Sequence, residues 1–94
     1  MEMVEAKVLL FATLGDEYGG ELEVKCDGTV RNLIEETARV LGKSLLGRVY
    51  DIGRNKVRED LLFFINGRNI KDIKGEIEIK EGDIVAIFPL IAGG

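Results

Sequence analysis

Residues 21–26, Glu-Leu-Glu-Val-Lys-Cys, alternate strictly between polar and apolar. A period of two places Leu22, Val24 and Cys26 on one face of a strand and the charged side chains on the other, so the sheet it joins is covered on one side only. Upstream, residues 4–14 mix β-branched, aliphatic and aromatic types and predict a first strand. Residues 15–20, with Gly15, Gly19 and Gly20, then predict the turn of a hairpin. Beyond Gly28 the period changes. Val30, Leu33, Ile34, Thr37, Ala38 and Leu41 fall at helical spacing, with Thr29 as N-cap and Gly42 as C-cap. Glu35 and Arg39 are expected to pair on its polar face. Residues 44–51 predict a short second helix, and 53–60 a polar stretch. Residues 61–65 form an unbroken apolar run closed by Asn66-Gly67, which predicts a second tight hairpin with residues 68–70 returning. After a turn at residues 81–83, the run 84–88 predicts a well-buried central strand that Pro89 ends. The sum is an α+β chain: a sheet with one helix packed on one face.

Composition narrows what such a sheet can do. The 94 residues carry 13 Lys and Arg against 17 Asp and Glu, a net charge of −4, with 46% hydrophobic and 32% charged residues. One domain with one core is expected. The acidic balance, with its basic residues scattered, argues against a nucleic-acid partner. The longest apolar stretch, 84–92, is half of what a membrane span needs and contains Pro89, so no membrane partner is expected. The apolar run 8–14 follows Glu2 and Glu5 rather than basic residues and reads as strand, not as a leader. There is no His, which removes the usual general base and a common metal ligand. The single Cys26 allows no internal disulfide and fits a reducing, cytoplasmic setting; on an apolar strand face it reads as a core residue. No metal site is expected. The acidic pairs at 35–36, 59–60 and at Glu81 and Asp83 read as solvated surface charge, and residues 15–20 lack the spacing of a phosphate loop.

The strand pattern also predicts a surface. Glu5 and Lys7 mark the outer face of the first strand, so Leu9 and Phe11 share it. Phe88 alternates with Ile87, and on the third strand one of the sets Leu61, Phe63, Ile65 or Leu62, Phe64 must also face outward. A contiguous apolar patch beside a chain end is what a partner-docking face requires. The competing reading is that residues 44–60 fold over this face and cover it.

The ending Phe88-Pro89-Leu90-Ile91-Ala92-Gly93-Gly94 resembles that of the MoaD/ThiS sulfur carriers, as do residues 7–14, the segment 63–67 and the turn and strand 81–88. Leu90, where many members have a second Pro, and Gly15, where Arg is frequent, depart from that pattern. The inserted segment 44–60 makes the chain most similar to the small subunit of molybdopterin synthase and its archaeal relatives. The resemblance implies a ubiquitin-like β-grasp body over residues 1–88 and a flexible Gly-Gly tail over 89–94. It implies a protein that is co-substrate rather than catalyst on its own. A partner adenylyltransferase of the ubiquitin-activating, MoeB/ThiF-like type would use ATP to activate the Gly94 carboxylate, and a sulfur nucleophile would then leave a thiocarboxylate there. No cofactor would be bound by the chain itself. Gly93, Ala92 and Ile91 would thread the partner's narrow tunnel, where a Cβ at either glycine obstructs approach. Phe11, Leu61, Phe63, Phe88 and Pro89 would dock a MoaE-like large subunit. Two further outcomes share the same activation: conjugation of Gly94 to lysines of target proteins, and sulfur delivery for tRNA thiolation. A plain interaction module, with incidental glycines, is the reading from another class.

Overall fold

A computed structural model of the chain describes residues 2–90. Its elements are β1 (Val4–Leu10), α1 (Ala12–Tyr18), β2 (Glu21–Cys26), α2 (Val30–Leu41), α3 (Ser44–Val49), β3 (Tyr50–Asp51), β4 (Lys56–Val57), β5 (Leu61–Ile65), β6 (Arg68–Asn69), a 3₁₀ turn (Ile70–Asp72) and β7 (Ile84–Pro89). Among the described residues, five strands form one sheet in the order β2-β1-β7-β5-β6. β7 lies at its centre, parallel to β1 and antiparallel to β5. The central last strand is as the pattern predicts, and the mixed sheet is as the β-grasp resemblance implies.

α2 covers one face of this sheet. Its apolar stripe buries Leu33, Ile34, Thr37 and Ala38, opposite Ala6, Val8 and Leu10 of β1, Val24 and Cys26 of β2, and Val85 and Ile87 of β7 in one core. Thr29 caps the helix by accepting the Asn32 amide at 3.0 Å, and Gly42, at φ 149°, ends it. The Thr37 hydroxyl donates to the Leu33 carbonyl at 2.7 Å, which satisfies the one buried polar side chain on the stripe. The expected Glu35–Arg39 pair does not form. Arg31 reaches Glu35 instead, at 3.5 Å, and Arg39 reaches Glu36 at 2.9 Å; both are exposed pairs that contribute little.

Three expectations are corrected. The first strand ends at Leu10, not at residue 14, and the predicted hairpin turn is largely a helix, α1. Leu14 and Tyr18, four apart, share one helical face: Leu14 is fully buried and Tyr18 packs against the core. Gly15 hides this in the sequence, because glycine is a poor helix former. It is there for contact. A Cβ at Gly15 would lie 2.6 Å from the Leu10 carbonyl oxygen, so only glycine lets α1 settle against the end of β1. Second, the polar stretch 53–60 is not all loop: β4 returns on β3 through the pair Tyr50↔Val57. Third, β7 continues through Pro89, and the Leu90 amide donates to the Asp60 carbonyl at 3.1 Å. Pro89 is tolerated because it stands at the strand's end.

The Asn66-Gly67 turn behaves as predicted, with both residues at positive φ (51° and 83°), as a type I′ hairpin demands. Asn66 also ties two turns together. Its side chain accepts from the Ile84 amide and donates to Asp83, both at 2.9 Å. No helix among the described residues is long and apolar enough to cross a membrane.

The contact at Gly15 sets a test of this packing. Gly15→Ala is expected to cost about 1–3 kcal/mol despite alanine's better helix propensity, because the added methyl forces α1 off β1. A thermal melt reads it as a fall in Tm of several degrees; a Tm raised by the substitution would contradict the close approach.

Candidate functional site

Strand parity decides what faces away from the helix. On β1 the pattern of burial is strict: Ala6, Val8 and Leu10 are buried, and Glu5, Lys7 and Leu9 lie on the other side. Phe11 continues that outer column. Its amide donates to the Ile87 carbonyl at 3.1 Å, which keeps it in register with β7 before Ala12, at φ 54°, swings the chain into α1. β7 presents Ile84, Ala86 and Phe88 outward and buries Val85 and Ile87.

The register of β5 against β7 then fixes the third column. Phe63 stands opposite Ile87 and Ile65 opposite Val85, so these share the core face. Leu62 stands opposite Phe88, and Phe64 opposite Ala86, on the outer face. Phe63 is 1% exposed and Leu61 5%. The expectation that Leu61 and Phe63 dock a partner is therefore corrected: both are core residues, and the outward set is Leu62 and Phe64. An unbroken apolar run carries no alternation, so the sequence could not say which set turns out. The usable signal was Phe88, once its cross-strand partner is known. Pro89 shares the parity of Val85 and Ile87; it lies half-buried opposite Leu61, at the rim of the core face rather than beside Phe88.

What results is an aromatic cluster on open sheet. The rings of Phe11 and Phe88 stack with centroids 4.2 Å apart and planes within 5°. Phe64 meets Phe88 edge to face at 5.8 Å and 87°. Leu9, Leu62, Ala86 and Ile84 extend the patch along three strands, with Ile84 44% exposed and Phe11 37%. The competing expectation, that residues 44–60 cover this face, fails for a physical reason. That segment turns its own apolar residues, Leu45, Val49 and Tyr50, into the core on the helix side. The patch is preorganised, since aromatic contacts already hold its rings.

The patch borders the end of the sheet where the chain runs on toward Gly94. Leu90 is 49% exposed and held by Asp60. Arg58 donates to the Asp60 carboxylate at 3.1 Å and holds it below the usual carboxylate range. Ile91, Ala92, Gly93 and Gly94 lie outside the described residues. From Phe88 to Gly94 is six residues, a reach of about 20 Å when extended.

Nothing else on the described surface is arranged for catalysis. No group of three or more Cys, Asp or Glu among the described residues could hold a metal ion. Two other displaced carboxylates belong to surface ion pairs, Arg48 lowering Glu17 and Lys56 lowering Glu59, while hydrogen bonds from Thr29 lower Asp27. Cys26 is fully buried, and burial pushes its thiol up, away from the reactive thiolate.

A sheet wrapped around one long helix, with its last strand central and an apolar patch on its outer face, defines a ubiquitin-like β-grasp protein. The model of the ThiS family matches residues 8–94, and the chain belongs to that family of ubiquitin-like sulfur carriers and modifiers. A candidate sulfur carrier protein of Archaeoglobus fulgidus is 35% identical over 77 residues, 80% of this chain and 85% of that protein. The solution structure of small archaeal modifier protein 1 from Methanosarcina acetivorans superposes with a TM-score of 0.81 at 27% identity, covering 100% of both chains. A candidate molybdopterin converting factor subunit 1 from Pyrococcus furiosus gives 0.64 at 30% identity, over 94% of this chain and 99% of that one.

The assignment of faces is testable by stability alone. Phe63→Ala is expected to cost about 3–5 kcal/mol in urea unfolding, as for a buried aromatic. Phe64→Ala, on the outer face, is expected to cost under about 1.5 kcal/mol; equal losses would contradict the assigned parity.

Proposed function

We propose that this chain is a sulfur carrier whose reactive group is the Gly94 carboxylate, serving the synthesis of molybdopterin. A carboxylate with a pKa of about 3.5 is ionised at neutral pH and a poor electrophile, so it must be activated. In the first step a carboxylate oxygen attacks the α-phosphorus of ATP on a partner adenylyltransferase, pyrophosphate leaves, and an acyl-adenylate forms. In the second a sulfur nucleophile attacks the acyl carbon and AMP leaves: hydrosulfide gives the thiocarboxylate directly on losing its proton, whereas a persulfide gives an acyl disulfide whose S–S bond a thiol then reduces to free the thiocarboxylate. That sulfur is then delivered, on a large synthase subunit, to a pterin precursor. The chain supplies the handle and the acyl group; the catalytic residues and the ATP site belong to the partners.

The observation that carries this reading is the aromatic face of Phe11, Phe64 and Phe88, open on the sheet that leads directly into the family's Gly-Gly ending. A docking face within about 20 Å of the reacting carbon lets one partner hold the body and thread Ile91, Ala92, Gly93 and Gly94 at once. Glycine at both final positions keeps the approach narrow.

A second reading shares the first step. Similarity over its whole length to a small archaeal modifier protein favours conjugation, in which a lysine amine of a target protein attacks the activated carbon and an isopeptide bond replaces the thiocarboxylate.

The activating enzyme of the same host tests both readings. With ATP it is expected to adenylate the intact chain and to fail on a chain extended by one residue after Gly94. Phe88→Glu, folded as judged by its melt, is expected to weaken complex formation by about a hundredfold, since a charge would be buried at the centre of the contact. Activation of the extended chain would show that Gly94 is not the reacting group, and unimpaired binding of Phe88→Glu would remove the docking face.

A further inference from the structure

The sheet has two edges of unequal length. β6 has two residues, whereas β2 has six. The Leu10 amide donates to the Gly20 carbonyl at 2.9 Å, and the pairs Val8↔Leu22, Ala6↔Val24 and Val4↔Cys26 continue the same phase. The even-numbered residues of β2 therefore point their main chain at β1, and Glu21, Glu23 and Lys25 point theirs away from the sheet. All three are exposed, and among the described residues no hydrogen bond from another segment reaches their main-chain groups. A long open edge is a template for another strand.

The charges on this edge select the strand. Glu23 and Lys25 are two apart and share the outer face of the sheet. When β2 is laid antiparallel on its own copy with Val24 opposite Val24, Glu23 meets Lys25 of the second copy and Lys25 meets Glu23. Both are hydrogen-bonded positions, so two main-chain bonds at each give four in all. On the other face Val24 meets Val24 and Leu22 meets Cys26, an apolar seam continuous with both cores. Sliding the strand to oppose Glu23 with Glu23 would keep two opposite-charge contacts, between Glu21 and Lys25, but would set like charges against each other at the twofold axis, which costs stability. The turn at Asp27, whose amide donates to the Asn32 side chain at 2.8 Å, confines the pairing to β2.

We propose that β2 is the interface of a homodimer, in which Glu23 and Lys25 pair across a twofold axis through Val24 and the two sheets become one. The contact is smaller than the roughly 1,000 Å² of a stable interface, so the dimer forms at high micromolar to millimolar concentration. It leaves free the aromatic face on β1, β5 and β7 and the β5/β7 end from which the chain continues, so both copies remain open to a partner.

Sedimentation equilibrium and amide chemical shifts of the full chain, followed from micromolar to millimolar concentration, test this. The expected result is a concentration-dependent dimer, with shifts centred on Glu21, Glu23 and Lys25. Lys25→Glu is expected to weaken it about tenfold, and Glu23→Lys combined with Lys25→Glu to restore it, because the swap regenerates both pairs. Glu23→Pro, which removes an outward amide and one partner of the ion pair but no bond to β1, is expected to leave a folded monomer. A chain monomeric at millimolar concentration would overturn the proposal. So would a dimer that survives Glu23→Pro, shifts confined to Phe11, Phe64 and Phe88, or edge shifts that arise only when an extended peptide is added.

Discussion

The pairing of β7 between β1 and β5 is the constraint on which the rest depends. Because β7 is hydrogen-bonded on both sides, its parity is transmitted to both neighbours. Val85 and Ile87, 0% and 2% exposed, lock one face into the core under α2. The same parity then obliges Ala86 and Phe88 to face outward, with Leu9 and Phe11 on one flank and Leu62 and Phe64 on the other. A slip of one residue would invert every one of these positions at once. Core and aromatic face are two readings of a single register, and the last strand that sets it also carries the chain toward its C-terminal glycines.

The division of labour follows from what the chain lacks and what it holds. It has no His, its one thiol is buried with its pKa raised, and among the described residues its perturbed carboxylates Glu17, Glu59 and Asp60 sit in exposed ion pairs while Asp27 accepts from Thr29. The aromatic cluster is held before any partner arrives, so little ordering is lost on docking. In the proposed function the chemistry is left to the Gly94 carboxylate, which a partner would activate.

Much of this fold was legible in the sequence where side chains alternate or recur. β2 reads directly from Glu-Leu-Glu-Val-Lys-Cys, α2 from its stripe and its caps, the second hairpin from Asn66-Gly67, and β7 from its β-branched run. What was not legible had a physical cause in each case. α1 was hidden because Gly15, placed for a close approach to Leu10, looks like a turn. β3 and β4 are two residues each, too short for any period to show. Parity on β5 was invisible because all five of its residues are apolar, and it is decided by a neighbour distant in sequence. Of the candidate site, Phe11 and Phe88 were correctly placed outward, Leu61 and Phe63 were not, and Leu62 and Phe64 take their place. The significance of Gly93 and Gly94 came from a resemblance rather than from any periodicity, since a glycine pair has no packing signature of its own.

Mass spectrometry of the intact protein and its C-terminal peptide, taken from its own host with thiol-preserving handling, reads the fate of the Gly94 carboxylate directly. The account predicts a fraction of chains in which one oxygen of the Gly94 carboxylate is replaced by sulfur. Chains carrying only an unmodified carboxylate, under sulfur limitation as well as sufficiency and with no Gly94 remnant on any lysine, would contradict it.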